Sequence, residues 1–302
     1  MHQVGPTRIG ELSLEEWLNW RDRVLEASDG LMQTLDQAAA SRTTQIYATL
    51  DDVGKREEDG MCAVVGYVAT RESWFNFNRS WMSALAGYGL QYLHTADFLN
   101  KIPNVDGRKL SDRDVYGSLA PFISVVNSHI TSDDDAGFGI CVVTEYEAYD
   151  SLTDTEKTVI RKPEVHSFEM AVGITGINLK RFVASGGIMA LQFDETKDAA
   201  KLYNSYRLLK EKNDSLRHSL SGICFLDDKL HPPMQAADML GNLTLKAWRR
   251  WKSGNEMPLA FRSLALPGGL ENRNVLSLIY TKEKLKQLAA TRLGRTASIV
   301  GA

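Results

Sequence analysis

Residues 45–69 decide the fold class, and they read QIYATLDDVGKREEDGMCAVVGYVA. Residues 45–50 favour a β-strand that ends at an acidic turn formed by residues 51–54. Residues 61–69 are apolar nearly throughout, which is typical of a strand buried on both faces of a sheet. The two segments, separated by a charged loop, therefore predict the central part of a β-sheet.

Strand and helix patterns alternate along the rest of the chain. Extended segments are predicted at residues 91–94, 138–144, 188–193 and 222–226. Helices are predicted at residues 72–87, 111–130, 165–185, 197–212 and 232–251. Strands that alternate with helices, with no long linker between them, indicate an α/β sheet covered by helices on both faces.

Pattern and charge divide the chain into three regions. Residues 1–42 are predicted to form a helical N-terminal extension, residues 43–255 the main domain, and residues 256–302 a basic tail packed on the domain or trailing it. The whole chain has a net charge of −3, but residues 246–302 hold eleven Lys or Arg against three Glu. A basic end on an acidic body permits contact with a polyanion, although a solvated helical face explains the same charges.

The composition excludes several classes of protein. Hydrophobic residues make up 43% and charged residues 24%, which is typical of a globular domain rather than a disordered or fibrous chain. The three cysteines are widely spaced within apolar segments, so we expect buried reduced thiols rather than a disulfide framework. No segment has the length of a membrane helix, and the first residues lack the pattern of a signal peptide. We therefore expect a cytoplasmic protein without membrane contact.

Carboxylates follow the predicted strands directly. Asp51, Asp194 and Asp227 each come after an apolar strand, and Asp238 lies in the helix that follows the last of these strands. Ligands of open α/β sheets bind beyond the carboxyl ends of the strands, and converging carboxylates repel one another unless a hard cation such as Mg²⁺ or Mn²⁺ neutralises them. The alternative is that each aspartate only caps a turn or a helix.

The segment of residues 227–241 is the most specific in the chain, DDKLHPPMQAADMLG. Gln235 and Asp238 are three residues apart and therefore share one face of the helix. Small residues beside them, Ala236, Ala237 and Gly241, would let the helix approach the sheet closely. A carboxylate in such apolar surroundings needs a partner, which a cation, Lys229 or a backbone donor would supply.

Several short motifs recur in the order found in one known family. The acidic strand end at residues 51–54 is Asp-Asp-Val-Gly where that family has Asp-Glu-Ser-Gly. Further matches are Gly66-Tyr67-Val68-Ala69, Trp74, Phe77, Trp81, Leu85, Leu93-His94, Asp97-Phe98, Asp227-Asp228-Lys229 and Gln235-Ala236-Ala237-Asp238. Over residues 45–250 the chain thus resembles the bacterial and phage family called domain of unknown function 3800 (DUF3800), which is similar in fold to RNase H-like nucleases.

The resemblance implies an RNase H-like mixed sheet flanked by helices and a site that holds Mg²⁺ or Mn²⁺. In that site Asp51 is the metal ligand of the first strand and Asp238 the carboxylate of the last helix, with Asp194 and Asp227 between them. Asp52 is a further ligand or an orienting group. These four carboxylates, Asp51, Asp194, Asp227 and Asp238, are the implied catalytic residues.

Five residues are candidates for substrate contact: His94, Lys229, Gln235, Arg249 and Arg250. His94 is also consistent with a structural role, and Gln235 with fixing its helix against the sheet. Arg249 and Arg250 lie between two tryptophans, a pattern that suits base stacking and phosphate contact but also an amphipathic helix end packed on the core.

Taken with the resemblance, these residues predict a metal-dependent RNase H-like nuclease that hydrolyses phosphodiester bonds in nucleic acid. The alternative is a non-catalytic protein of the same fold that binds a partner or nucleic acid, for example in phage defence or in a mobile element.

Overall fold

The computed structural model describes residues 45–102, 110–131, 137–182, 187–266 and 275–300. The predicted helical extension at residues 1–42 lies outside the described residues. The strands are β1 (Gln45–Val53), β2 (Met61–Thr70), β3 (Gly137–Glu145), β4 (Ile188–Asp194), β5 (Leu220–Leu226) and β6 (Val275–Tyr280).

The described helices fall between and after these strands. They are α1 (Arg56–Asp59), α2 (Arg71–Gly87), α3 (Thr95–Lys101), α4 (Asp112–His129), α5 (Tyr146–Asp150), α6 (Asp154–Val159), α7 (Pro163–Phe182), α8 (Ala199–Lys212), α9 (Asp214–Ser219), α10 (Pro232–Lys252), α11 (Leu259–Ala265) and α12 (Lys282–Val300). None of the described helices is long and apolar enough to cross a membrane.

The strands form one mixed sheet in the order β5-β4-β1-β2-β3-β6. Strand β2 runs antiparallel to β1 and β3, whereas β4 is parallel to β1, β5 to β4, and β6 to β3. The carboxyl ends of β1, β4 and β5 therefore meet at one edge of the sheet. The predicted α/β class, a mixed sheet flanked by helices, is confirmed.

Strand β2 lies in the middle of the sheet, as its apolar sequence predicts, and nine of its ten residues are buried. Glycine is required at position 66, where β2 pairs with β1 opposite Leu50, because a Cβ atom there would lie 1.9 Å from the carbonyl oxygen of Thr49. The close backbone approach leaves no room for a side chain at this position.

Each face of the sheet carries its own core. Residues that point to one face pack with α2, α4, α10 and α11, and include Tyr47 and Tyr67. Residues that point to the other face pack with α7 and α8, and include Ile46 and Leu50. Neighbouring residues of a strand point to opposite faces, so β1 contributes alternate side chains to the two cores.

Three local predictions differ from the structure. Strand β1 does not end at Leu50 but continues to Val53, because residues 51–53 pair with β2 up to Ala63. Residues 91–94 are not extended strand and lead instead into α3. Strand β6 was not predicted at all.

Strand β6 lies within residues 256–302, the region predicted to be a basic tail. It pairs in parallel with β3, from Gly139 opposite Val275 to Thr144 opposite Tyr280. A boundary after residue 255 would thus separate an edge strand from the sheet that it extends. Long-range pairing of this kind leaves a weak local signal in the sequence.

The three cysteines form no disulfide. Cys62 and Cys141 are buried in β2 and β3, and Cys224 is partly buried in β5. Burial raises the pKa of Cys62 to about 12 and that of Cys141 to about 11, so both are neutral thiols at physiological pH. They have the structural role expected from their apolar surroundings.

Candidate functional site

The two adjacent aspartates of β1 point to opposite faces of the sheet. Asp51 follows the alternation of Tyr47 and Thr49 and faces α10, and its side chain is 8% exposed. Asp52 faces the α7 and α8 side and is exposed to solvent. Of the two, Asp51 alone lies on the side of the sheet that carries Asp238.

Asp194 ends β4, the parallel neighbour of β1. Leu50 is opposite Phe193 in the register, so Asp51 and Asp194 follow at the same level of the two strands. Burial raises the pKa of Asp51 well above its ordinary value, and the nearby charges of Asp194 and Asp238 raise it further. The pKa of Asp194 is raised to about 6, first by burial and then by the charge of Asp228.

Asp238 is placed by the close approach of α10 to β1 and β2. A Cβ atom at Gly241 would lie 2.4 Å from Cγ1 of Val53, and both Ala236 and Ala237 are fully buried. The small residues therefore have the packing role predicted for them. The Asp238 side chain is 18% exposed, and its Oδ2 accepts a hydrogen bond of 2.8 Å from the backbone N–H of Thr95. A backbone donor is one of the three partners that the sequence allows for Asp238, and in the structure this donor belongs to Thr95.

Asp227 and Asp228 have different positions after β5. Asp227 is exposed, and its side chain accepts a hydrogen bond of 3.0 Å from the backbone N–H of Lys229, which caps the short 3₁₀ turn Asp228–Leu230. Asp228 is partly buried, and its pKa is raised first by burial and then by the charge of Asp238. The residue that faces Asp194 and Asp238 is therefore Asp228, in place of the predicted Asp227.

Gln235 is fully buried, and its amide joins three parts of the protein. Its Oε1 accepts hydrogen bonds from the indole Nε1 of Trp81 at 2.9 Å and from the backbone N–H of Leu93 at 3.0 Å. Its Nε2 donates to the carbonyl oxygens of Asp228 and Lys229. The predicted substrate contact at Gln235 is wrong, because these bonds occupy the amide and no part of it reaches solvent. It fixes α10, as the alternative interpretation states.

His94 and Lys229 lie at the rim of the carboxylate group. The His94 side chain is 40% exposed, with Nδ1 3.2 Å from Oδ2 of Asp97 and Nε2 4.0 Å from Oδ1 of Asp238. Lys229 is exposed. Both side chains remain accessible to a bound molecule, so their predicted substrate contact stays a prediction.

Arg249 and Arg250 lie near the far end of α10 and are paired with acidic residues. Arg249 Nη2 is 2.6 Å from Oδ1 of Asp59. Arg250 contacts both carboxylate oxygens of Asp112. At a rise of ~1.5 Å per residue, Arg250 is about 18 Å along the axis from Asp238. Their charges are balanced within the protein, which leaves little net positive charge at this end for a phosphate backbone.

We call the group of Asp51, Asp194, Asp228 and Asp238 the carboxylate cluster. Its donors are all carboxylate oxygens, the ligand type that Mg²⁺ and Mn²⁺ prefer. Within the residues that the structure describes, however, no three His, Cys, Asp or Glu side chains are arranged to hold one metal ion. The donor atoms are of the type that binds a hard cation, but the positions of these side chains in the structure do not form a coordination sphere.

Comparisons of the chain with protein-family models, with curated proteins and with solved structures found no significant match. The interpretation of the carboxylate cluster therefore depends on the geometry of this chain.

Proposed function

We propose that the protein is an RNase H-like, metal-dependent hydrolase of phosphodiester bonds in nucleic acid. The fold assignment is supported by the mixed sheet flanked by helices, in which the strands follow the order β3-β2-β1-β4-β5 and β2 runs antiparallel to its neighbours. A fold alone does not specify an activity, so the function depends on the carboxylate cluster.

The observation that carries the proposal is the convergence of Asp51, Asp194 and Asp238 from three separate elements. Each carboxylate lies on the α10 side of the sheet, and the negative charges of Asp194 and Asp238 raise the pKa of the buried Asp51. Like charges brought together from β1, β4 and α10 oppose folding unless protonation or a bound cation neutralises them. A cation site explains why the fold keeps them together.

Asp51, Asp194 and Asp238 would hold the ion, with Asp228 at the rim. Bound Mg²⁺ or Mn²⁺ would lower the pKa of a coordinated water and stabilise charge on phosphate oxygens. The Thr95 N–H holds one oxygen of Asp238 and leaves the other, Oδ1, towards His94. His94 would orient the substrate or exchange a proton at Nε2.

The second candidate is a non-catalytic protein of the same fold that binds a partner or nucleic acid. It is favoured by one observation, the lack among the described residues of three side chains already arranged around an ion. In this candidate the carboxylate cluster binds no metal and the protein has no hydrolytic activity.

The test compares Asp238→Asn with the wild-type protein and with Asp154→Asn as the matched control. The control makes the same change in charge on an exposed residue of α6, outside the cluster. Thermal unfolding is measured with increasing Mg²⁺ or Mn²⁺, and hydrolysis is measured on single- and double-stranded DNA and RNA.

We expect the ions to raise the Tm of the wild type and of Asp154→Asn, by a stabilisation of about 2.7 kcal/mol when the ion is at 100 times its Kd. Asp238→Asn should lose most of this stabilisation and at least about 100-fold of the hydrolytic rate. Wild-type protein that shows neither ion-dependent stabilisation nor hydrolysis would support the non-catalytic candidate instead.

A further inference from the structure

A cavity of about 490 Å³ lies between α8, α9 and the edge strand β5. Its lining includes two aromatic and three cationic side chains, which are Tyr203, Tyr206, Arg207, Lys210 and Arg217. This volume lies within the range of about 300–1,000 Å³ found for small-molecule sites. We call it the β5 cavity.

Of the three cations that line the β5 cavity, Arg207 is paired with Glu211 and Arg217 with Asp214, so the net positive charge comes from Lys210. Arg207 Nη1 is 2.5 Å from Oε1 of Glu211, and Arg217 donates to the carbonyl oxygens of Lys210 and Glu211 at the end of α8. Lys210 forms no ion pair within the described part of the chain. Its ammonium lies 5.7 Å from the centroid of the Tyr206 ring and is available to an anion.

The aromatic side of the β5 cavity has an accessible ring and an unused hydroxyl. Tyr203 is 52% exposed, and its centroid is 6.5 Å from that of Tyr206 with an angle of 34° between the rings. Tyr206 is 5% exposed, and its hydroxyl has no hydrogen-bond partner among the described residues. An exposed tyrosine ring offers a face on which a planar ring can stack.

We propose that the β5 cavity binds a nucleotide, with its base stacked on Tyr203 and its phosphate contacted by Lys210. The pairing of an aromatic face with unneutralised positive charge suits a ligand that carries a planar ring and a phosphate on one molecule. A simple anion would not require the exposed ring, and an uncharged aromatic molecule would not require the ammonium.

The β5 cavity is separate from the carboxylate cluster, so this inference does not rest on the proposed hydrolase activity. Tyr206 and Ile223 belong to the core on the α7 and α8 side of the sheet, opposite to Asp51 and Asp238. Along β5, Gly222 of the cavity is four residues from Leu226, or about 13 Å from the edge where the carboxylates lie.

The test is calorimetric titration with adenosine 5′-monophosphate, with adenosine and inorganic phosphate as separate probes. Lys210→Gln removes the available charge, and Tyr203→Ala removes the stacking face. Lys212→Gln is the matched control, because Lys212 is an exposed lysine of α8 that does not line the cavity. A short single-stranded oligoadenylate distinguishes a free nucleotide from a nucleotide within a strand.

We expect saturable binding of the monophosphate, weakened about tenfold by Lys210→Gln and about tenfold by Tyr203→Ala, with Lys212→Gln unchanged. Adenosine and phosphate alone should each bind more weakly. If the oligonucleotide binds instead of the monophosphate and the same two variants weaken it, the ligand is a nucleotide of a strand.

The inference is overturned if no probe binds, or if Lys210→Gln and Tyr203→Ala bind every probe as the wild type does. Asp238→Asn should leave nucleotide binding in the β5 cavity unchanged. Failure of the carboxylate cluster as a metal site and failure of the β5 cavity as a nucleotide site are therefore separate results.

Discussion

The two ends of α10 differ in whether their charged side chains are paired with opposite charges. At the amino-terminal end, Gln235 and Asp238 accept hydrogen bonds from donors of α2 and of residues 93–95. The three other carboxylates of the cluster, Asp51, Asp194 and Asp228, lie near Asp238 and have no Lys or Arg partner within the described residues. At the carboxyl-terminal end, every basic side chain of the last turn lies beside an acidic residue: Arg249 with Asp59, Arg250 with Asp112 and Lys252 with Glu145.

A charged side chain can bind an ion or a phosphate only if another residue of the protein does not already neutralise it. The basic residues at the end of α10 are conspicuous in the sequence, yet the fold neutralises them locally and partly exposes them to water, where ion pairs contribute little. The carboxylates near its beginning are individually ordinary, yet burial and mutual repulsion make them costly to keep ionised. The unbalanced end is the better candidate for binding an ion.

The largest expected effect is at Gln235, which holds the amino-terminal end of α10 in place. Gln235→Leu would remove both acceptor bonds and leave the indole N–H of Trp81 and the backbone N–H of Leu93 buried without partners. At about 1–3 kcal/mol for each orphaned donor, the free energy of unfolding should fall by about 2–6 kcal/mol, measured by urea denaturation. The exposed Gln287→Leu serves as the control, and an equal loss in both variants would contradict this role.

A smaller and opposite effect is expected at Asp194, within the carboxylate cluster. Its pKa of about 6 in the folded protein is above the ordinary value of 3.8, so its contribution to stability is present below pH 3.8 and is lost as the pH rises through 6. Asp194→Asn should therefore raise the free energy of unfolding by about 1–2 kcal/mol at pH 7.5 without metal, after allowance for partial exposure. The gain should disappear near pH 4.

The control for Asp194 is Asp154→Asn, which should change the free energy of unfolding by less than ~0.5 kcal/mol at both pH values because its side chain is exposed and lies outside the cluster. Urea denaturation of the three proteins at pH 4 and pH 7.5 gives the comparison. A destabilising Asp194→Asn at pH 7.5 would show that the aspartate is neutralised by a partner, and the argument for an unbalanced cluster would be lost.

The smallest effect is expected at the balanced end of α10. A double-mutant cycle of Arg250→Ala and Asp112→Ala should give a coupling energy of about 0.5–1 kcal/mol, since both side chains are partly exposed. The coupling should decrease between 0.05 M and 1 M salt, because exposed pairs are screened. A large coupling energy that does not change with salt would mean that the Arg250–Asp112 pair is shielded from water, and the contrast in charge between the two ends of α10 would be weakened.

Much of the fold could be predicted from local patterns. Strand β2 was identified from its apolar run, and helices were predicted at residues 111–130 and 232–251. In the structure Ser111 and Asp114 form a complete capping box at the start of α4, and two prolines begin α10. Each signal depends on residues a few positions apart, where backbone preference and side-chain periodicity act directly. The candidate site was predicted in part, since Asp51, Asp194 and Asp238 do lie on one side of the sheet.

The sequence by itself determined that carboxylates follow the strands of an α/β sheet and that a helix of small residues packs close to it. Only the tertiary structure decided that Asp228 rather than Asp227 faces the cluster, that the Thr95 N–H holds Asp238, and that β6 extends the sheet. These outcomes depend on pairings between residues far apart in the chain. A shift of one residue moves a side chain to the other face of its segment, and an acidic residue more than a hundred positions away can neutralise a basic one. A local sequence pattern contains no information on either effect.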